Sequence, residues 1–323
     1  MNTKPKISII TASKNGGRFL RQTLDSIAQQ SFTDYEHVIA DSASTDDTLD
    51  ILKEYKRNGY NVRWISEPDR RADEGFSKAM TMARGEYIML TCTSDGYLDR
   101  DWFKKCVQVL DNDPEVSMVY GSGKPINEDG EIMDSPRLDF IKRPPPSKED
   151  FFLFWLGTFS LCFELTWCVR ADVFRKCFPK YEPNDCFLQM HTIFAFNYNF
   201  NVGGYLSLFL PDFACYGREH HDSCGIRQSD VNKILKQQYK SAIIKYGNEL
   251  FAGTRKHVFR DGKSNVIREL RVDELDSCRK KVLHYRINRR FYKCKKSHGF
   301  MRYWRRKLKI LVLYFLLRKR IYV

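Results

Sequence analysis

Residues 87–98, YIMLTCTSDGYL, decide the reading of this chain. Tyr87 to Thr91 are apolar or β-branched and predict a short buried strand. The chain then turns polar at once, through Thr93, Ser94, Asp95 and Gly96. A strand that ends in an acidic turn presents a carboxylate at its tip, and in open α/β sheets ligands bind outside the carboxyl ends of the strands. Asp95 is therefore a candidate ligand for a hard divalent cation, which takes oxygen donors and leaves places for water and phosphate. A Ser-Asp-Gly turn alone is commonly just a turn. The segments upstream give this one its weight.

Residues 7–11 (ISIIT) form an apolar run without alternation, as expected of a parallel strand covered on both faces. A polar loop, residues 12–17, leads into a helical pattern over 18–30 with Leu20, Leu24, Ile27 and Ala28 on one face. Residues 35–40 predict a second strand ending at Asp41. Ser44 with Asp47 three positions on fits a capping box and opens a helix through Tyr55. Residues 62–66 predict a third strand, and 74–84 a helix with Gly85 as its C-cap. The order β-α-β-α-β-α-β predicts a doubly wound, mostly parallel sheet with helices on both faces. Its strand ends fall along one edge, where the acidic loops repel one another unless a cation or base-edge donors sit among them.

This arrangement resembles the nucleotide-binding half of a family 2 glycosyltransferase of the GT-A fold, over residues 7–223. ISIITASKN is similar to the family's opening strand and loop, which implies that Thr11 and Ala12 line the donor. IADSASTDDT resembles the motif D-x-x-S-x-D-x-T and places Asp41 on the nucleobase. SEPDRRADEGFSKAMTMARGEYI resembles E-P-D…D-A-x-N-K…A-x-G-E-x-I, which puts Asp69 and Asp73 near ribose and base, with Lys78 beside them. TCTSDGYL stands where the family has N-x-D-D-x-Y, so Ser94 and Asp95 face the diphosphate and Asp95 matches the metal-binding last carboxylate of DXD, with Mg²⁺ or Mn²⁺ as the implied cofactor. The motif's first position is Thr93 here and its middle is Ser94; Cys92 replaces the usual Asn, and Ser77 the Asn before Lys78.

Further along, residues 99–110 predict a helix, 116–120 a strand, and 124–133 a hairpin around Glu128-Asp129-Gly130. The apolar run 151–163 is too short to span a bilayer and reads as buried core. Glu164, ahead of a strand at 167–170, stands on the acceptor side of the resembled site; a structural ion pair is the other reading. A short helix is expected at 172–177. In YEPNDCFLQM, Asp185 is an N-cap by position. The resemblance makes it the base that deprotonates an acceptor hydroxyl, with Glu182 in reserve. Residues 201–209 predict a strand. CYGREHHDS resembles the loop Y-R-x-H-x-x-S near the diphosphate, which makes His220 or His221 a phosphate donor or metal ligand; solvated histidines are the plain alternative. Residues 231–246 keep helical spacing.

The chain has 323 residues and 42% hydrophobic content, enough for a large core. Its net charge of +14 is uneven: residues 277–323 hold seventeen Lys or Arg and no Asp or Glu. The body is mildly acidic, so nucleic-acid binding would have to reside in the tail, and none is expected. The ten cysteines show no CxxC pair and no zinc spacing, which points to a reducing compartment. Cys92 and Cys106 read as buried free thiols. Residues 1–6 are polar and the next apolar run is five residues long, so no signal peptide is expected. In residues 302–323, eight apolar residues between basic clusters would rise about 12 Å as a helix, short of a bilayer core. Basic flanks with Trp and Tyr suit an anionic membrane surface; RNA binding and a packing helix are the rivals.

The expected organisation is a nucleotide-sugar-binding half (1–125), an acceptor-binding and catalytic half (126–223), a helical extension (224–276) and a basic membrane-associating tail (277–323). The expected activity is inverting transfer of a sugar from a nucleoside-diphosphate sugar, with uridine the favoured base, to a glycan or lipid-linked acceptor. It would take place in the cytoplasm on the inner face of the membrane. A non-catalytic binding module and a sugar nucleotidyltransferase are the alternatives. The second usually carries a glycine-rich basic loop after the first strand, whereas SKNGG has one Lys.

Overall fold

The computed structural model describes residues 4–133, 147–160, 164–179, 192–221 and 229–297. Asp185, Glu182 and the segment 302–323 lie outside the described residues.

The first half alternates as expected: β1 (Ile7–Ser13), α1 (Gly17–Ala28), β2 (Tyr35–Asp41), α2 (Thr48–Arg57), β3 (Val62–Ser66), α3 (Ala72–Met82) and β4 (Tyr87–Leu90). Then come β5 (Gly96–Tyr97), α4 (Trp102–Asn112), β6 (Val116–Ile126), α5 (Asp150–Thr158), β7 (Cys168–Arg170), α6 (Ala171–Cys177), α7 (Thr192–Val202) and β8 (Leu206–Arg218). The chain closes with α8 (Ser229–Phe251), β9 (Val258–Arg260), β10 (Val266–Glu269) and α9 (Leu275–Ser297). One sheet runs in the order β3-β2-β1-β4-β7-β6-β8-β5. The β3-β2-β1-β4 half is parallel, β7 is antiparallel to both its neighbours, and β6 pairs with β8 in parallel. Because β7 runs backwards, its leading end, the 3₁₀ turn Glu164–Thr166, lies beside the tip of β4. The carboxyl ends of β6 and β8 reach the same edge.

Burial follows the apolar runs. Ile7, Ile9, Ile10, Ile88 and Met89 are fully enclosed in the sheet, and Trp102, Phe103 and Phe174 pack on it. A buried acid ties the opposite end together: Glu36 accepts from Ser8 Oγ (2.6 Å), Arg63 (2.7 Å) and the Arg84 N–H (2.8 Å). Gly85 belongs to this knot and is not the C-cap of α3, a place Ala83 takes. Its N–H donates to Ser8 Oγ at 2.7 Å, and a Cβ there would lie 2.4 Å from the Ser8 nitrogen.

A second core joins α5, α8, α9 and the β9–β10 hairpin. Trp155 donates to the Tyr239 hydroxyl at 2.7 Å, and the His257 ring stacks on Phe152 at 3.7 Å between centroids. The apolar run after residue 150 is thus core, as expected. Three expectations fail here. No Ser44–Asp47 box forms, because Ser44 turns back to Asp41 and Asp46 holds the start of α2. Asn201 and Val202 are helical. Residues 215–218, expected in a loop, are strand.

Candidate active site

Two loops at the sheet edge are locked into each other. The β2–α2 loop supplies Asp41, Ser44, Asp46 and Thr48; the β1–α1 loop supplies Asn15, Gly16 and Gly17. Asp41 accepts from the Ser44 N–H (2.9 Å) and from Ser66 Oγ (2.7 Å), and the Ser44 hydroxyl donates to it as well. Ser44 Oγ accepts the Asn15 N–H (2.7 Å), Asn15 Oδ1 accepts the Thr45 N–H (2.9 Å), and Thr48 Oγ1 accepts the Gly16 N–H (3.0 Å). Asp46 accepts the Gly17 N–H at the head of α1 (2.9 Å) and the Thr48 N–H (3.1 Å). Asn15 and Ala43 both hold left-handed backbone, at φ 50° and 49°. Strain of this kind persists where the surroundings over-determine it. Asp41 is fully buried under its loop, so its carboxylate shapes the edge from beneath.

The third loop brings Asp69 to the same place. Its carboxylate and Ala12 both pack against Gly75 of α3. The Asp69 N–H donates to Ser42 Oγ (3.2 Å), and burial pushes its carboxyl upward, against Ser42 and Lys78. Lys78 donates to the Pro68 carbonyl (2.9 Å) and faces Glu67 (3.3 Å) and Glu74 (3.8 Å). Asp73 is engaged elsewhere, by the Arg71 guanidinium at 2.7 Å. Glu74, which sequence reasoning passed over, is the acid whose charge reaches Asp69. It stands four residues before Lys78, the spacing that puts both on one face of a helix. Below them, Thr11 is fixed through its hydroxyl to His37 Nε2 (2.9 Å).

At the tip of β4, residues 92–95 form a turn closed by the Asp95 N–H on the Cys92 carbonyl (3.3 Å). Thr23 of α1 holds this turn from below, with its hydroxyl 2.6 Å from the Asp95 carbonyl and 3.0 Å from that of Thr93. Asp95 Oδ1 accepts the Arg218 N–H at 2.8 Å. Burial pushes its carboxyl up to about 6, opposed by that N–H, by the Cys92 thiol and by the Arg218 charge. Cys106 is buried as expected, but Cys92 is only half-buried, with its thiol hydrogen-bonded to Asp95. Glu164 joins this turn from the head of β7. Burial raises it to about 7, and the negative charge of Asp95 adds to the shift. Ser94 is half-buried on the same turn.

Arg218 was also passed over, since its segment reads as loop. Its side chain donates to the Asn127 and Glu128 carbonyls (3.0 and 2.7 Å) and to Gln22, with Phe19 beneath it at 4.5 Å. It thereby joins α1, the 127–131 turn and Asp95. The expected hairpin turn is present, with the Gly130 N–H on the Asn127 carbonyl and a bridge from Ile126 to Ile132. Glu128 of that turn binds Arg18 (2.7 Å) and His221 Nδ1 (2.9 Å), while the His220 ring packs near Phe19 at 5.3 Å. Among the described residues, no three His, Cys, Asp or Glu side chains gather closely enough to hold a metal ion.

Fold and edge together define an open α/β protein whose ligand side is the row of acidic and hydroxyl-bearing loops at the strand carboxyl ends. The chain matches the family model described as Glycosyl transferase family 2 over residues 8–178 and belongs to that family. It is similar to the chondroitin synthase of Escherichia coli, 30% identical over 131 residues, covering 41% of this chain and 19% of that protein. It is also similar to the hyaluronan synthase of Pasteurella multocida, 24% identical over 234 residues, 72% of this chain and 22% of that protein. The chain thus spans about a fifth of the length of these relatives. Among solved structures it resembles Staphylococcus aureus TarS residues 1–349 in complex with UDP-GlcNAc, with a TM-score of 0.55 at 17% identity, covering 90% of this chain and 74% of that one. It also resembles the mannosyltransferase PcManGT from Pyrobaculum calidifontis in complex with GDP-Man and Mn²⁺, with a TM-score of 0.52 at 15% identity, covering 97% and 81%. The fold is GT-A, as expected. Among the described residues no helix is long and apolar enough to cross a membrane.

Proposed function

We propose that this chain is an inverting glycosyltransferase that moves a hexosyl or N-acetylhexosaminyl group from a nucleoside-diphosphate sugar to a hydroxyl of a glycan or lipid-linked glycan. The observation that carries the reading is the meeting of three loop ends at one edge with Asp95 at the tip of β4. The nucleoside lies over Thr11, Ala12, Asp69 and the Lys78–Glu74 pair, on a floor that Asp41 and Asp46 keep rigid. Support for uridine comes from the UDP-GlcNAc complex of TarS. The diphosphate lies over Ser94 and Asp95.

The donor set at that tip is one carboxylate with two hydroxyls. It fits a hard cation that takes its remaining oxygens from diphosphate and water. Asp95 would hold Mg²⁺ or Mn²⁺, with His220 the candidate second ligand. The ion supplies charge neutralisation for the leaving group. Asp185 takes the proton of the acceptor hydroxyl as its oxygen attacks the anomeric carbon from the face opposite the diphosphate. Glu164 and Glu182 belong to the acceptor side. The basic segment after residue 277 holds the enzyme on an anionic membrane surface at the cytoplasmic face.

The test is transfer by an Asp185→Ala variant. Nucleotide binding should stay and product formation should fall by at least about a hundredfold, the usual contribution of a general base. Undiminished turnover would remove Asp185 from this role.

A further inference from the structure

Helix α8 carries charge of one sign. Between Val231 and Asn248 the sequence holds Lys233, Lys236, Lys240 and Lys245 and no Asp or Glu. The inner face of the helix is fixed by packing, since Leu235, Tyr239, Ile243, Tyr246 and Leu250 belong to the second core. The four lysines are exposed, and so are two isoleucines, Ile234 at 57% and Ile244 at 36%. A single exposed apolar side chain is ordinary, but these two share a face. At about 100° per residue, Lys240, Ile244, Ile234 and Lys245 follow one another around an outward arc of roughly 140°. The isoleucines thus stand between lysines, whose long stems lie along apolar surface while the ammonium groups reach outward.

This face adjoins more positive charge. Lys240 Nζ of α8 and Arg286 Cζ of α9 approach the same ring, Phe159 at the end of α5, at 5.5 and 5.3 Å from its centroid. The cationic sides of the two helices therefore meet there. On α9, Lys280 is exposed as well, and no Asp or Glu follows Asp276 through residue 323. Charge of one sign over a face this broad attracts an anionic surface. Phe159 also locates the face. Five residues further on, the same segment arrives at Glu164, at most about 18 Å of extended chain away on the acceptor side of the site.

We infer that the outward faces of α8 and α9 dock on an anionic lipid surface, with Ile234 and Ile244 entering the headgroup layer between the lysines, so that the acceptor side of the site is held close to the bilayer. The inference rests on the membrane reading of the basic segment after residue 277 and adds to it a folded face that sets the orientation. A helix of this pattern lies in the plane of the interface, where burial of its apolar residues adds to the attraction of anionic headgroups. A nucleic acid would use the lysines and leave the isoleucines without a role.

The full chain is sedimented with vesicles of phosphatidylcholine alone and with vesicles of phosphatidylcholine mixed with phosphatidylglycerol, alongside the double variants Lys240→Gln/Lys245→Gln and Ile234→Gln/Ile244→Gln. All four side chains are exposed, so both variants should keep the parent's melting temperature. The parent should bind the mixed vesicles and not the neutral ones. Partitioning should fall about twentyfold or more in the lysine variant, at about fivefold per cation, and about fivefold or more in the isoleucine variant. Mixed-vesicle binding that either variant leaves undiminished overturns the docking face alone, with the basic segment still the anchor. If the parent binds neither kind of vesicle, the membrane reading itself has failed. Capture of a homopolymeric RNA in place of vesicles would give the face to nucleic acid and overturn the inference.

Discussion

Asp46 does more for the donor edge than its place in the chain suggests. It caps the head of α1 through Gly17 and the head of α2 through Thr48, so it joins two loops that hold a left-handed residue each. Removing an acidic cap costs about 1–2 kcal/mol. Asp46→Ala should therefore lower thermal stability by that amount and weaken UDP binding, because Gly17 loses its anchor and so does Thr48, which holds Gly16. Unchanged nucleotide affinity would mean the loops hold their shape without it. The motif D-x-x-S-x-D-x-T was legible as a motif, but the work of each member was not. Ser44 has the spacing of an N-cap, yet its hydroxyl finds a nearer carboxylate in Asp41. Likewise Asp73 and Glu74 are equivalent by composition. Only the helix places Arg71 against the first and Lys78 near the second.

The crossing of α5 and α9 shows what pairs of elements add. Lys281 binds the buried Asp150 at 2.9 Å, Tyr285 packs edge-on to Phe154, and Gly157 allows the close approach. A Cβ at 157 would meet the Val282 carbonyl at 2.6 Å and Tyr285 Cβ at 2.9 Å. Gly157→Leu should cost about 1–3 kcal/mol or more by overpacking. Limited proteolysis should then release the segment from residue 275 while the sheet stays folded. Resistance equal to the parent would show that the helices separate without penalty. Nothing in the sequence announced this crossing, since α9 falls almost wholly in the basic stretch read as a tail from residue 277 and the contact is between distant segments. The run 201–209 misled for a related reason. Asn197 and Asn201 look like helix breakers, but in α7 each donates to the carbonyl four residues back, at 2.9 and 2.7 Å, inside a buried environment that favours those bonds.

Across the molecule, two buried neutral histidines work against the fold as pH falls. Burial pushes His37, in the sheet under Thr11, and His257, on Phe152 in the second core, down to about 3 from 6.5. The unfolded chain binds these protons below pH 6.5 and the folded chain does not, so stability present above that pH is lost as pH falls toward 3. Between pH 7 and 5 each should cost about 2 kcal/mol. Asp95 and Glu164, raised to about 6 and about 7, take up protons in the folded state over the same range and offset this loss. The change in stability from pH 7 to 5 should therefore be more favourable in His257→Phe than in the parent by about 2 kcal/mol, read from denaturant unfolding at the two pH values. The same pH dependence in parent and variant would contradict the buried neutral state. The alternation of strands and helices in the parallel half and its acidic edge were legible because each strand is a continuous apolar run that stops in a polar loop. The antiparallel β7, which brings Glu164 to Asp95, has only three residues and no alternation to betray its direction.

Release of nucleoside diphosphate from a panel of nucleotide sugars, with and without Mn²⁺ or Mg²⁺, by the parent and by Asp95→Ala, bears most directly on the donor edge. Metal-dependent release from a UDP-sugar by the parent, lost in Asp95→Ala with the fold intact, is the expected result. Release that Asp95→Ala leaves unchanged would move the diphosphate away from the tip of β4, and no binding of any nucleotide sugar would contradict the assignment of this edge to a donor.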